Sequence, residues 1–108
     1  NDIDIANIYY NYDKKYLVIV YANSNVDILH DNGKVFNIPD IKNAILTTAK
    51  GINDVKFYGD RIYLATDFGI VVLNDKKNEV SESYNYGKKI SLIGVCDKYW
   101  FFVADDLY

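Results

Sequence analysis

Cys96 and His30 are the only cysteine and the only histidine in the 108 residues. A cysteine nucleophile needs a histidine to take its proton and a third group to orient that histidine. Cys96 has neither nearby in sequence, so it reads as a buried structural thiol. A zinc site takes about three or four His, Cys or carboxylate ligands. His30 ends a strand beside Asp31 and meets none of the usual metal spacings. Asp27, Asp31, Asp40, Asp54, Asp60, Asp67, Asp75, Asp97, Asp105 and Asp106 invite a calcium reading. They stand scattered, one or two to a turn, and the D-x-[DN]-x-[DN]-G spacing is absent. Turn chemistry accounts for most of them, because Asp bonds its own downstream backbone. No G-x-S-x-G elbow or phosphate loop is present. The sequence therefore points to no catalytic, cofactor-binding or metal-ligating residue, and to a protein that is not an enzyme.

The aromatics carry the remaining chemical potential. Tyr9, Tyr10, Tyr12, Tyr84, Tyr86, Tyr99 and Trp100 could stack on sugar rings, which makes a glycan a possible partner. Tyr9 and Tyr10 are adjacent, so they point to opposite faces of a strand. Packing between sheets is the simpler account of the set, since Tyr and Trp favour strands.

These side chains must be positioned by short strands. The pattern predicts strands over 5–10, 16–22, 26–30, 34–38, 52–57, 61–66, 70–73, 79–84, 90–96 and 99–104. Polar turns separate them, among them Asp31-Asn32-Gly33, Tyr58-Gly59-Asp60, Asp67-Phe68-Gly69 and Asp97-Lys98. Gly69 is expected to supply a positive φ. Pro39 stops the fourth strand. Residues 43–49 read as a loop or irregular strand ahead of a helical turn, because two Thr and an Ile are weak helix formers. At this length the chain is one domain at most. A net charge of −3 gives no electrostatic case for nucleic acid. The longest apolar run, 16–22, is far short of a membrane-spanning helix. The chain starts at Asn1 rather than Met and shows no signal peptide, as a processed or truncated product would.

One phrase is written three times, from Ile5, from Ile52 and, in broken form, from Ile90. Leu17 aligns with Ile62 and Ile62 with Trp100, spacings of 45 and 38 residues. Strand units repeating at about 40–45 residues are the signature of β-propeller blades. The second strand of each unit, over 16–22, 61–66 and 99–104, has few polar alternates, as expected of strands buried on both faces between neighbouring blades. The fold read from this is an all-β, antiparallel β-propeller fragment of about two and a half blades. Its units are approximately 5–38, 52–86 and an incomplete 90–108, within a single partial propeller over 1–108. One blade cannot bury its own faces, so self-association of the fragment is expected.

The run Leu64-Ala65-Thr66-Asp67-Phe68-Gly69-Ile70-Val71-Val72-Leu73 resembles the two-component-regulator propeller repeat. The stretch 17–86 resembles, more narrowly, the amino-terminal propeller of PorZ-type proteins of the Bacteroidetes type IX secretion system. The matching pieces are Leu17-Val18-Ile19-Val20-Tyr21, Val26-Asp27-Ile28-Leu29, Asn37-Ile38-Pro39-Asp40-Ile41-Lys42, Ile52-Asn53-Asp54-Val55 and Phe68-Gly69-Ile70-Val71-Val72-Leu73. Asn25 stands where the family usually has Gly, and Asp105-Asp106-Leu107-Tyr108 lacks the usual Gly before Leu-Tyr. The resemblance implies a non-catalytic, surface-exposed accessory module that scaffolds sortase-linked cargo processing. Its implied partners are other secretion-system proteins or the remaining blades of the same propeller, at the cell surface or in the periplasm. The alternative it implies is a periplasmic glycan-sensing propeller fragment of a hybrid two-component regulator.

Overall fold

A computed structural model describes residues 4–41, 51–96 and 99–105. The expected loop over 43–49, the Asp97-Lys98 turn and the Leu107-Tyr108 pair lie outside the described residues. The chain divides into two compact units, Asn1–Ile45 and Leu46–Tyr108.

The first unit holds one four-stranded antiparallel sheet in the order β1-β2-β3-β4. Its strands are β1 (Ile5–Asn11), β2 (Tyr16–Tyr21), β3 (Val26–His30) and β4 (Val35–Ile38). The second unit repeats this meander as β5 (Ile52–Tyr58), β6 (Arg61–Thr66), β7 (Gly69–Asn74) and β8 (Glu79–Asn85). It then adds a two-stranded sheet of β9 (Lys89–Cys96) and β10 (Tyr99–Asp105). These are two blades and the opening hairpin of a third.

The repeat extends to backbone detail. Each blade's first strand carries one extra residue in its pairing with the second strand. The register slips between Ile5 and Asn7, between Ile52 and Asp54, and opposite Val103 and Ala104, where Leu92 and Ile90 are the partners. A bulge turns the local side chains and raises the twist. The link into each hairpin also repeats: Ala22 N donates to Asp4 O at 2.8 Å and Asp67 N to Gly51 O at 2.9 Å.

The turns follow the expected chemistry with two corrections. Gly33 and Gly59 take φ of 88° and 59°, and Asn32 Oδ1 accepts Lys34 N at 2.9 Å. Beside Asn25, it is Ser24 that takes the positive φ, at 70°. Asn23 Oδ1 accepts Asn25 N, and this Asx turn sets the corner. Gly69 has φ 158°, nearly extended rather than left-handed. Its reason is space: an added Cβ would collide with the backbone carbonyl of Tyr84 on β8.

The core of the second unit is the seam between its two sheets. Ala65, Ile70 and Val72 of the full blade meet Ile90 and Ile93 of the hairpin. Tyr63, Tyr84, Val95, Trp100 and Ala104 pack against this cluster. β2 has no exposed residue and β6 exposes only Arg61, as expected of doubly covered strands. β10 departs from the expectation. Tyr99, Phe101, Phe102 and Val103 are exposed, because among the described residues nothing lies on the hairpin's far face or beside its free edge. Cys96 is exposed for the same reason and is not a buried thiol.

Candidate functional site

The densest polar arrangement lies at the blade seam of the second unit. The bulge after Ile52 places Asn53 and Asp54 so that both reach the next sheet. Asp54 is buried. Its Oδ2 accepts Ile93 N at 3.1 Å and Lys56 Nζ at 2.7 Å, and its Oδ1 accepts Val55 N at 3.0 Å. Asn53 Nδ2 donates to Ile90 O at 3.0 Å and to Asp67 Oδ1 at 2.9 Å. Asp67 Oδ2 accepts Gly51 N at 3.0 Å. Two adjacent polar side chains thus grip one backbone carbonyl and one backbone amide of β9. Hydrogen bonds to a charged acceptor are the stronger kind. An open strand end becomes a fixed junction.

Sequence reasoning placed Asp54 among the turn aspartates, and that is corrected here. It sits inside β5, and its carboxylate fastens two sheets. The readable signal was an Asn-Asp pair within an apolar strand, where turn chemistry has no use for it.

The neighbouring Ala65-Thr66-Asp67-Phe68-Gly69 run now has a physical account. Ala65 is small because the seam is tight against it. Thr66 Oγ1 donates to Gly69 O at 2.8 Å and accepts Gly69 N at 3.0 Å and Phe68 N at 3.3 Å. Asp67 locks the incoming strand, and Gly69 admits the β8 backbone.

Trp100 closes the seam on its aromatic side, with ring centroids 5.6 Å from Tyr63 and 5.3 Å from Tyr84. The Tyr84 hydroxyl also donates to Glu82 Oε2. That bond, with help from Arg61, holds the Glu82 carboxyl below its ordinary value and raises the Tyr84 phenol. The pair's contribution is therefore full above the ordinary carboxylate pKa of 4.5 and fades as acid titrates Glu82. At the alkaline end it is full below 10.0 and fades as the phenol ionises. Replacing Tyr84→Phe keeps the ring against Trp100 and removes the hydroxyl. The Glu82 pKa should then rise toward 4.5 in an NMR titration. An unmoved Glu82 would mean that Arg61 alone sets it.

In the first unit a second polar group sits at one corner of the sheet. Tyr21 Oη donates to Asp27 Oδ2 at 2.7 Å, and Asn37 Nδ2 donates to Asp27 Oδ1 at 2.8 Å. Asp27's bond to the hydroxyl raises the Tyr21 pKa, with burial and charge adding to it. His30 lies between rings, 5.3 Å from Tyr16 and 5.5 Å from Phe36, which suits a strand-end packing role. No group of three or more His, Cys, Asp or Glu converges as metal ligands would among the described residues.

Of the aromatics considered for sugar stacking, Tyr84 and Trp100 belong to the seam. Tyr10 and Tyr12 meet edge to face at 4.7 Å on the surface of the first unit. Tyr86 stacks on Phe102 at 5.3 Å.

Comparison with known proteins agrees with this architecture. A solved PorZ, described as an essential bacterial surface component of the type-IX secretion system of Porphyromonas gingivalis, superposes with a TM-score of 0.82 at 32% identity. The match covers 93% of this chain and 14% of the PorZ chain, so this chain spans a small part of that protein's length. A search of curated proteins found no match. The family model for the PorZ N-terminal β-propeller domain of the type IX secretion system matches residues 1–107. With the sheet order, the repeated bulge and the seam in place, the chain belongs to the PorZ N-terminal β-propeller family.

Proposed function

We propose that the chain is a non-catalytic scaffold module of a surface-exposed type IX secretion accessory protein, one that holds secretion-system proteins for sortase-linked cargo processing. The observation that carries the reading is the family match over residues 1–107. It is supported by the likeness to a surface component of that system. The polar chemistry agrees with it: Asn53, Asp54 and Asp67 are engaged in joining sheets. The cell surface is favoured over the periplasm by the same likeness. The glycan-sensor alternative loses ground because the matching model is that of the secretion component rather than of a sensor.

Immobilised chain should capture the purified sortase or its accessory proteins, read by interferometry, while a hydrolase panel gives no turnover. Absence of capture across the system's envelope proteins would sink the scaffold role. Turnover lost on His30→Ala or Cys96→Ala would sink the non-catalytic one.

A further inference from the structure

The blade repeat gives each sheet two distinct faces. The full blade of the second unit turns a leading face toward the hairpin: Tyr63, Ala65, Ile70 and Val72, with Asp54 at the bulge. The hairpin answers with a trailing face of Ile90, Ile93, Val95, Trp100 and Ala104. The shared registers extend this assignment to the other blades. Ile5, Ile8, Tyr10, Leu17 and Ile19 occupy in β1 and β2 the places of Ile90, Ile93, Val95, Trp100 and Phe102. They form the trailing face of the first blade. Leu92, Phe101 and Val103 occupy the places of Asp54, Tyr63 and Ala65. They form the leading face of the hairpin.

Both of these faces are open. Ile8 is 51% exposed and Ile5 53% on the first blade; Leu92 is 56%, Phe101 63% and Val103 52% exposed on the hairpin. Exposed apolar area of this kind marks an interaction surface. The Phe101 ring lies over Gly94, its pairing partner, and fills the space a side chain there would take. The hairpin face has Leu92 where the internal seam has Asp54, so a partner there is held by apolar contact.

We infer that the two open faces are the two halves of one seam, and that a second copy of this chain occupies it. The trailing face of one copy's first blade seats on the leading face of the other's hairpin. The argument is continuity with an interface the chain already builds: the same strand positions that meet between its second and third blades are presented, unmatched, at the two ends of the repeat. The contact is heterologous, because two different faces meet.

Light scattering on the purified 108-residue chain should show association that grows with concentration. Ile8→Asp spoils the trailing face and Phe101→Asp the leading face. Both sites are exposed, and circular dichroism checks that each variant stays folded. Either variant alone should weaken association at least tenfold. An equimolar mixture of the two keeps one intact seam, so it should recover a 1:1 dimer and nothing larger. A monomeric wild-type chain across the micromolar range would overturn the inference. Self-association of Ile8→Asp alone would overturn it in favour of a symmetric hairpin-to-hairpin contact. Association indifferent to both variants would overturn it in favour of pairing at the free edge of β10.

Discussion

Gly69→Val is expected to destabilise the protein by about 2–3 kcal/mol, at the upper end of what overpacking costs. The clash is with backbone. A Cβ at residue 69 would overlap the carbonyl oxygen of Tyr84 and crowd the Asn85 Cα. That segment belongs to β8, held to β7 in register from Gly69↔Asn85 to Asn74↔Glu79, so it cannot swing aside as a side-chain tip would. Any shift also disturbs Thr66 Oγ1, which accepts Gly69 N and donates to Gly69 O. For a domain of this size the loss amounts to a fall in melting temperature of about 10 °C or more. Gly33→Ala is the control. Gly33 also has positive φ, 88°, but an added Cβ meets nothing within 4 Å. Its cost should stay near ~1 kcal/mol, from backbone conformation alone. A Gly69→Val melting point within about 2 °C of wild type would show that β8 moves freely, and the close-approach argument would fall.

The strand plan was legible because it rests on local rules. Val26–His30 and Arg61–Thr66 are bounded by residues that cannot continue a ladder, and both appear as read from the sequence. Others gained a residue at an end, as Ile5–Asn11 and Gly69–Asn74 did. What was not legible depends on neighbours. The apolar run over β10 reads like that of β6, but burial needs a sheet on each side. β6 lies between two hydrogen-bonded strands while β10 pairs only with β9 among the described residues. Cys96 was misread for the same reason. Gly69 was assigned its freedom of φ because sequence shows a turn, whereas the close approach of β8 is tertiary. The positive φ beside Asn25 went to Ser24, since the Asn23 side chain sets that corner. The seam clasp was hidden most thoroughly. Asp54 looks like any turn aspartate until the bulge and β9 are both in view.

Asp54→Ala should cost about 2 kcal/mol, largely through the amide it leaves behind. The Ile93 N–H lies in the seam, and Asp54 Oδ2 at 3.1 Å is its acceptor. Losing the acceptor from a buried donor costs ~1–3 kcal/mol, more than the net worth of the bond when made. The Lys56–Asp54 ion pair adds little, because the Lys56 side chain is 48% exposed and exposed pairs contribute ~0–1 kcal/mol. Lys56→Ala should therefore leave stability within about 0.5 kcal/mol of wild type. The two variants separate a seam bond from a surface charge pair. Asp54→Asn tests the same point at constant size. Its single amide oxygen can serve Val55 N or Ile93 N, whereas the carboxylate serves each with a separate oxygen. It should fall between wild type and Ala. Hydrogen exchange supplies the site-specific reading: the Ile93 amide should lose protection in Asp54→Ala while amides across the β6–β7 ladder hold theirs. If Ile93 stays protected, the hairpin is fastened to the blade by the apolar cluster of Ala65, Ile70, Val72, Ile90 and Ile93 alone, and the carboxylate is incidental to the seam.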